Sequence, residues 1–140
     1  MELIVKFLSF GKTGAGEHYR LSKESFMKTR SETFQIGADV PWEPAGDGMK
    51  RQILGYDGQL MLVKVHFEKG ATGAAHEHFH SQVSYVVSGR FELTIGDEVR
   101  VLGPGDGYYV EPDVRHGCTC LEEGVLLDIF SPHRTDFLKK

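Results

Sequence analysis

Several residue types and patterns are scarce in this chain of 140 residues. It has two cysteines, five prolines and one tryptophan, and no segment approaches the roughly 18 apolar residues of a membrane span. Lysine and arginine total 16 against 20 acidic residues, so the net charge is −4. This acidic balance argues against nucleic acid or an anionic membrane as a partner. The first residues carry Glu2 where a signal peptide would be basic, so we expect a cytoplasmic protein.

The two cysteines, Cys118 and Cys120, are separated by one residue. On a strand their side chains would share one face but lie about 6.5 Å apart, which is a poor fit to disulfide geometry. We therefore predict two small, reduced core residues. A C-x-C metal clip is the alternative, but the chain has no second cysteine pair to complete it.

Glycine, by contrast, is abundant, with 17 residues, and it punctuates a strand-like pattern. Apolar segments recur at a spacing of about 8–12 residues, which predicts an all-β sandwich or barrel. No long helical period competes with this prediction. Residues 88–90 are expected to form the turn of a hairpin. The predicted strands are residues 51–55, 60–67, 82–87, 91–95, 98–102, 108–110, 117–120 and 125–130.

The first part of the chain has a different composition. We divide the chain into an N-terminal extension and linker, residues 1–47, and a barrel with a short C-terminal tail, residues 48–140. Met27 is a candidate for the natural start of the protein, a hypothesis that the N-terminal mass of the protein from its own host would test. In this part of the chain we expect a strand at residues 3–10 and a short helix at residues 22–30, followed by a Pro/Gly linker at residues 39–48 that leads into the barrel.

Four side chains with metal-binding groups lie in two glycine-framed segments: His76, His78, Gln82 and His116. Imidazoles two residues apart on a strand point to the same side, so they can join ligands from neighbouring strands around one cation. A glutamine contributes a neutral oxygen, so the cation keeps its full charge and acts as a strong Lewis acid. We expect one divalent metal ion, with zinc, nickel, iron or manganese as the candidates.

The other histidines are weaker candidates. His80 has the same parity as the first two ligands, so it either binds the metal or forms a hydrogen bond around the site. His18, His66 and His133 lie outside the glycine-framed segments, and we expect them to be exposed or hydrogen-bonded locally.

Asp128 interrupts the apolar segment at residues 125–130. On a strand it shares a face with Leu126 and Phe130, and a carboxylate on a buried face is costly unless it is paired or used. We interpret Asp128 as a catalytic residue. The alternative is a solvated face at the barrel mouth, with Asp128 paired to Arg134. Arg134 follows the strand, where its guanidinium can bind a substrate carboxylate, although taken alone it would be a surface charge.

The two glycine-framed segments resemble the two sequence motifs of the cupin superfamily. The first segment matches at every marked position except Gln82, where most cupins have glutamate. The resemblance covers roughly residues 48–137 and implies a double-stranded β-helix, a small barrel of two antiparallel sheets with a metal inside one mouth. The second segment keeps its glycine and its histidine and departs from the pattern, in ways that concern turn shape, at Glu111, Asp113 and Cys120.

Residues 52–54 with 60–63, 80–86 with 88–89, and 120–137 resemble, more narrowly, the KdgF family of pectin-degradation cupins. That family linearises 4,5-unsaturated uronates released from pectin and alginate. The resemblance implies a metal-dependent enzyme for a small sugar acid, often a dimer. It implies these roles: His76, His78, Gln82 and His116 as metal ligands, with Asp128, Phe130 and Arg134 lining the substrate site.

Other interpretations remain open at this point. Phe130 is also explained by ordinary barrel packing. The chain is compatible with another cupin enzyme, a dioxygenase or sugar isomerase, or with a non-catalytic barrel that binds or senses sugars. Sensing barrels usually carry a DNA-binding module, and no helix-turn-helix pattern is present here. We expect a homodimer, in which residues 3–10 add an edge strand to the sheet of the partner.

Overall fold

The computed structural model describes residues 29–139. These residues contain eight strands and one helical turn, joined by loops. All strand pairings are antiparallel. No helix among the described residues is long and apolar enough to cross a lipid bilayer. The elements are β1 (Glu43–Gly46), β2 (Met49–Tyr56), β3 (Met61–Phe67), β4 (Thr72–His76), β5 (Ser81–Ile95), β6 (Glu98–Leu102), β7 (Gly107–Val110), β8 (His116–Ser131) and α1 (Thr135–Leu138).

The two long strands, β5 and β8, take part in both layers of the barrel. The first half of β5 pairs with the second half of β8, and the second half of β5 pairs with the first half of β8. Strands β3 and β7 flank the first of these pairings, while β4 and β6 flank the second. Strands β2 and β1 continue the first sheet beyond β3. Two antiparallel sheets therefore share their bent central strands, and the predicted all-β double-stranded β-helix is confirmed.

The hairpin predicted at residues 88–90 is wrong, because β5 continues through this segment with shifts of register. Gly89 has a φ of +81°, as a turn residue would, but it lies where β5 crosses β8. A Cβ on Gly89 would stand 2.5 Å from the carbonyl oxygen of Glu122, and a Cβ on Gly124 would collide with the backbone of β5. The glycines permit two backbones to cross in close contact. For the same reason residues 117–120 and 125–130 form one strand rather than two.

We expect Gly89→Ala to lower the free energy of unfolding by about 2–4 kcal/mol, because the new methyl group meets backbone and the positive φ strains an L-residue. Gly103→Ala is the matched control, since a Cβ on Gly103 meets nothing within 4 Å. That variant should stay within about 0.5 kcal/mol of the parent. Urea unfolding followed by circular dichroism measures both, and equal midpoints for the two variants would contradict the prediction.

The apolar core lies between the two sheets, on the inward faces of their strands. Every second residue of β3 is buried there, from Met61 to Phe67. Inward and outward side chains also alternate along β5 and β8. Some of the inward positions on these two strands are polar, among them Gln82 and Ser84, and these polar side chains form the candidate site. The buried apolar side chains include Val63, Val65, Val86, Phe91, Leu93, Leu126 and Phe130.

The linker predicted at residues 39–48 is wrong for Glu43–Gly46, which forms β1 and pairs with β2. The preceding residues also contact the barrel: the Nε2 group of Gln52 donates to the carbonyl oxygens of Gly37 and Val40, both at 2.8 Å. The division of the chain after residue 47 stays a prediction. Residues 3–10, residues 22–28 of the predicted helix, His18 and Met27 lie outside the described residues.

Candidate metal and substrate site

The strand register brings the four candidate ligands together. His76 ends β4 and pairs directly with His116, which begins β8. Gln82 is the second residue of β5. The spacing predicted that His78 lies on a strand, and this is wrong, because His78 lies in the connection between β4 and β5. One ligand atom from each of the three imidazoles lies within 4.8 Å of the others. The Oε1 atom of Gln82 is 3.0 Å from the Nε2 atom of His78 and 3.2 Å from that of His116.

Backbone carbonyls fix the orientation of the three imidazoles. Each ring directs its Nδ1 atom at a carbonyl oxygen, at distances of 2.9, 3.1 and 2.8 Å for the three rings in chain order. A carbonyl oxygen only accepts, so each Nδ1 carries the hydrogen. The Nε2 atoms are thereby left to face the centre of the cluster. The accepting carbonyls belong to Ala74, His80 and Val114.

This arrangement fits a cation. Burial lowers the pKa of His78 and of His116 and favours their neutral forms. A neutral imidazole with hydrogen on Nδ1 has a lone pair on Nε2, and in both residues that lone pair faces the amide oxygen of Gln82, which is also an acceptor. Acceptors that converge at such distances are stabilised by a positive charge among them. Imidazole and amide donors suit a divalent transition metal.

The remaining described histidines are not members of this cluster. His80 is buried, its ring stacks on Phe79 with centroids 4.0 Å apart, and its ring nitrogens have no hydrogen-bond partner among the described residues. The Nε2 atom of His66 lies 2.9 Å from the carboxylate of Glu123, as expected for a locally bonded histidine. His133 stacks on a tyrosine ring.

Side chains that are paired across neighbouring strands of the first sheet form rows that face the interior. These rows explain why Asp128 lies beside the candidate ligands. In one row Phe130 of β8 pairs with Gln82 of β5. Two residues along, the next inward row pairs Asp128 with Ser84, and Ser84 with Tyr108 of β7. The carboxylate therefore lies in the row adjacent to Gln82 and faces the same interior.

The amide of Gln82 connects the imidazole cluster to the carboxylate. Its oxygen faces the imidazoles, while its Nε2 group donates to the hydroxyl of Ser84 at 3.0 Å and to Asp128 Oδ1 at 3.5 Å. The hydroxyl of Ser84 in turn donates to Asp128 Oδ1 at 2.5 Å. A glutamate at this position would put a second carboxylate against Asp128, which explains why glutamine is present. Burial raises the pKa of Asp128 to about 6, against the opposing effects of Ser84 and of the Arg134 charge.

A cavity of about 560 Å³ unites these groups. Three of the four candidate ligands line it, and so do all three residues that the resemblance assigned to the substrate site. The sequence pattern did not identify Ser84, which donates to Asp128, or Tyr108, which lines the cavity. Ser84 could have been found, because it follows Gln82 at the two-residue interval that keeps both side chains on the same face. Among the residues that line the cavity are His76, Gln82, His116, Asp128, Phe130, Arg134, Arg51, Tyr108 and Phe137.

Arg134 is held at the wall of this cavity by its neighbour. Its Nε and Nη2 groups donate to the carboxylate of Asp136 at 3.0 and 2.9 Å, so the alternative in which Arg134 pairs with Asp128 is wrong. The guanidinium also packs over the rings of Phe130 and Phe137, 5.0 and 4.2 Å from their centroids. Its side chain is only 11% exposed. Phe130 belongs both to the core cluster and to the cavity wall.

Both cysteines are free, which confirms the prediction of reduced thiols. Cys118 lines the cavity, and burial raises its pKa to about 12, so it remains a protonated thiol at neutral pH. The only cluster of histidine, cysteine and carboxylate groups close enough to hold a metal within residues 29–139 is the histidine cluster.

Comparisons with known proteins agree with this geometry. Residues 63–130 match the Cupin domain family. The pectin degradation protein KdgF of Dickeya dadantii (strain 3937) is 50% identical over 105 residues, which is 74% of this chain and 96% of that protein.

Two solved structures extend the likeness to three dimensions. KdgF from Halomonas sp. has a TM-score of 0.73 at 37% identity, over 76% of this chain and 99% of that one. An RmlC-like cupin from Shewanella frigidimarina has a TM-score of 0.76 at 48% identity, over 78% and 98% of the two chains. The chain belongs to the cupin superfamily and, within it, to the KdgF family.

Proposed function

We propose that the protein opens the ring of 4,5-unsaturated uronate monosaccharides and converts them to linear keto sugar acids. The observation that carries this proposal is the carboxylate of Asp128, held by Ser84 and by the amide of Gln82 inside a cavity that also contains Arg134. A base beside a cation site and an arginine suits an acidic sugar that must lose and regain a proton. The similarity to pectin degradation proteins supports the substrate class.

The site residues fit one divalent metal ion. When bound, it supplies positive charge beside the substrate oxygen on which negative charge develops. Zinc, nickel, iron and manganese all suit the donors, and metal analysis of the purified protein identifies which is present. The ligands in the proposal are His76, His78, Gln82 and His116.

Asp128 moves the proton in this reaction. It accepts the proton of the C1 hydroxyl, C1 becomes an aldehyde, and the bond between C1 and the ring oxygen breaks. The electron pair of that bond passes to the ring oxygen, which becomes an enolate conjugated with the double bond between C4 and C5. Asp128 then returns the proton to C4, and C5 becomes a ketone. Substrate and product are isomers, so no further reactant is required.

Arg134 and Phe130 position the sugar. Because Asp136 occupies the Nε and Nη2 groups of Arg134, its Nη1 group is left to bind the substrate carboxylate. The ring of Phe130 packs against the face of the sugar. The ion pair with Asp136 fixes the guanidinium before substrate arrives, which reduces the entropic cost of binding.

A spectroscopic assay tests the proposal. Purified protein is mixed with unsaturated galacturonate, and the absorbance of its enol ether should fall faster than in buffer alone. An NMR time course should show the linear keto product. Binding without loss of absorbance would instead support a sugar-sensing barrel, and consumption of O₂ would support a dioxygenase; either result rejects the proposal.

The proposal also includes a cytoplasmic homodimer. On the outer face of the first sheet, Val83 lies between Tyr109 and Ile129, and all three side chains are exposed. A second copy that covers this apolar row would remove it from water. Light scattering in solution tests the dimer and rejects it if the mass is that of one chain. Fractionation of the host cells tests the location.

A further inference from the structure

We infer that Arg51, from a strand position beyond Asp128, forms a second anion-binding subsite in the cavity, across the ring of Phe137 from Arg134. The ligand that fits both ends is an unsaturated diuronate, which carries one carboxylate on each of two linked rings. Its C1 oxygen next to Asp128 belongs to a glycosidic bond and has no proton to give, so the diuronate binds without ring opening and inhibits. The inference rests on the proposed function for the orientation of the first ring.

The strand register places Arg51 beyond the catalytic carboxylate. Arg51 of β2 pairs with Val65, and Val65 pairs with Leu126 of β8. Leu126 precedes Asp128 by two residues, so the backbone of Arg51 lies in the next inward row, about 7 Å further along the strands, and its side chain extends to Phe137. The cavity therefore contains, in order, the ligand row with Gln82, the row with Asp128 and the row with Arg51. A group attached to C1 of the bound sugar extends toward that last row.

The contacts of Arg51 leave its outer donors available. Glu43 engages only the Nε group, at 2.8 Å, and no described residue forms a hydrogen bond with the Nη groups. The side chain is 20% exposed, so these donors are only partly solvated. A guanidinium with two Nη groups facing a cavity matches a carboxylate.

Two arginines share one aromatic ring at this wall. The guanidinium carbon of Arg51 lies 3.8 Å from the centroid of Phe137, and that of Arg134 lies 4.2 Å from the same centroid. The two charges are therefore within about 8 Å of each other, where like charges in a partly buried cavity repel. A ligand with two carboxylates relieves this repulsion better than a ligand with one.

The space at this end is sufficient for a second ring. The cavity volume of about 560 Å³ is within the range of sites that hold ligands larger than one sugar. The small residues Ala45 and Gly46 line this end, together with Asp47, which is exposed. Because Asp47 is acidic, the subsite depends on the guanidinium of Arg51 and not on a uniformly positive wall.

Calorimetric titration with unsaturated digalacturonate tests the inference. We expect Arg51→Gln to weaken binding of this ligand by at least about tenfold, the loss of a paired carboxylate. Arg100→Gln, at an exposed arginine on β6, is the matched control and should bind like the parent. Turnover of the monosaccharide by Arg51→Gln should fall by a smaller factor than the affinity for the disaccharide, because the single carboxylate of the monosaccharide is bound by Arg134.

The inference is overturned by no binding of the digalacturonate, by equal binding to Arg51→Gln and the parent, or by an equal loss for the disaccharide and for monosaccharide turnover. Glu43→Gln separates the two charges, because it removes the carboxylate that faces the Nε group of Arg51 but keeps the guanidinium and the pairing of β1 with β2. It should retain the affinity, and a loss equal to that of Arg51→Gln also refutes the subsite. If the parent does not turn over monosaccharide but binds digalacturonate through Arg51, the proposed function fails and the subsite stands.

Discussion

Asp128→Asn is expected to lower kcat for unsaturated galacturonate by about 10²–10⁴-fold, the usual contribution of a positioned base. The amide has nearly the same shape as the carboxylate and can still accept the hydrogen bond from Ser84, which is now 2.5 Å long. It cannot accept the proton of the C1 hydroxyl. The fold and the bound metal should therefore be retained while proton transfer is lost.

Three measurements decide this prediction: initial rates, metal content and the circular dichroism spectrum. Asp97→Asn is the matched control, because Asp97 is exposed in the turn between β5 and β6. It should keep the parental rate. If Asp128→Asn retains near-parental turnover, Asp128 is not the base; if it loses metal as well as turnover, its role is to support Gln82.

The clustering of the candidate ligands was predictable because it depends on short spacings. His76, His78 and Gln82 lie within seven residues, and the fourth ligand follows a second glycine-framed segment. The parity of strand residues also predicted that Asp128 and Phe130 share a face, as they do along β8. Such predictions need only the local backbone geometry, which the sequence pattern specifies.

The continuity of β5 and β8 was not predictable from local signals. A glycine with positive φ is typical of a hairpin turn, and Gly89 has that conformation. It differs from a turn glycine only because β8 crosses it, and the crossing involves residues more than thirty positions away, near Glu122. A single sequence contains the glycine but not the strand that lies against it.

The polar partners of the site depend on the same long-range register. Ser84 bonds Asp128 across 44 positions of sequence, and Arg51 reaches the cavity wall through Val65 and Leu126. The sequence suggested only Asp128 as a partner of Arg134, whereas the short turn of α1 places Asp136 against the guanidinium. Pairings of this kind become visible only when the strands are placed side by side.

His78→Ala is expected to weaken metal binding by more than about 100-fold and to lower activity by at least about 10²-fold, because a lost ligand removes both affinity and charge at the site. His78 is the sharpest choice among the ligands. Its Nδ1 is fixed by the carbonyl of His80, and its Nε2 faces the oxygen of Gln82. Alanine leaves that amide oxygen with His116 as its remaining imidazole partner.

His66→Ala is the matched control, because His66 is hydrogen-bonded to Glu123 away from the cavity. It should keep metal content and rate at parental values, as measured by elemental analysis and by the absorbance assay. A His78→Ala protein with a full complement of metal would show that the cation is bound elsewhere. A metal-free His78→Ala protein with parental turnover would show that Asp128 and Arg134 suffice for ring opening, and the proposed role of the imidazole cluster would be wrong.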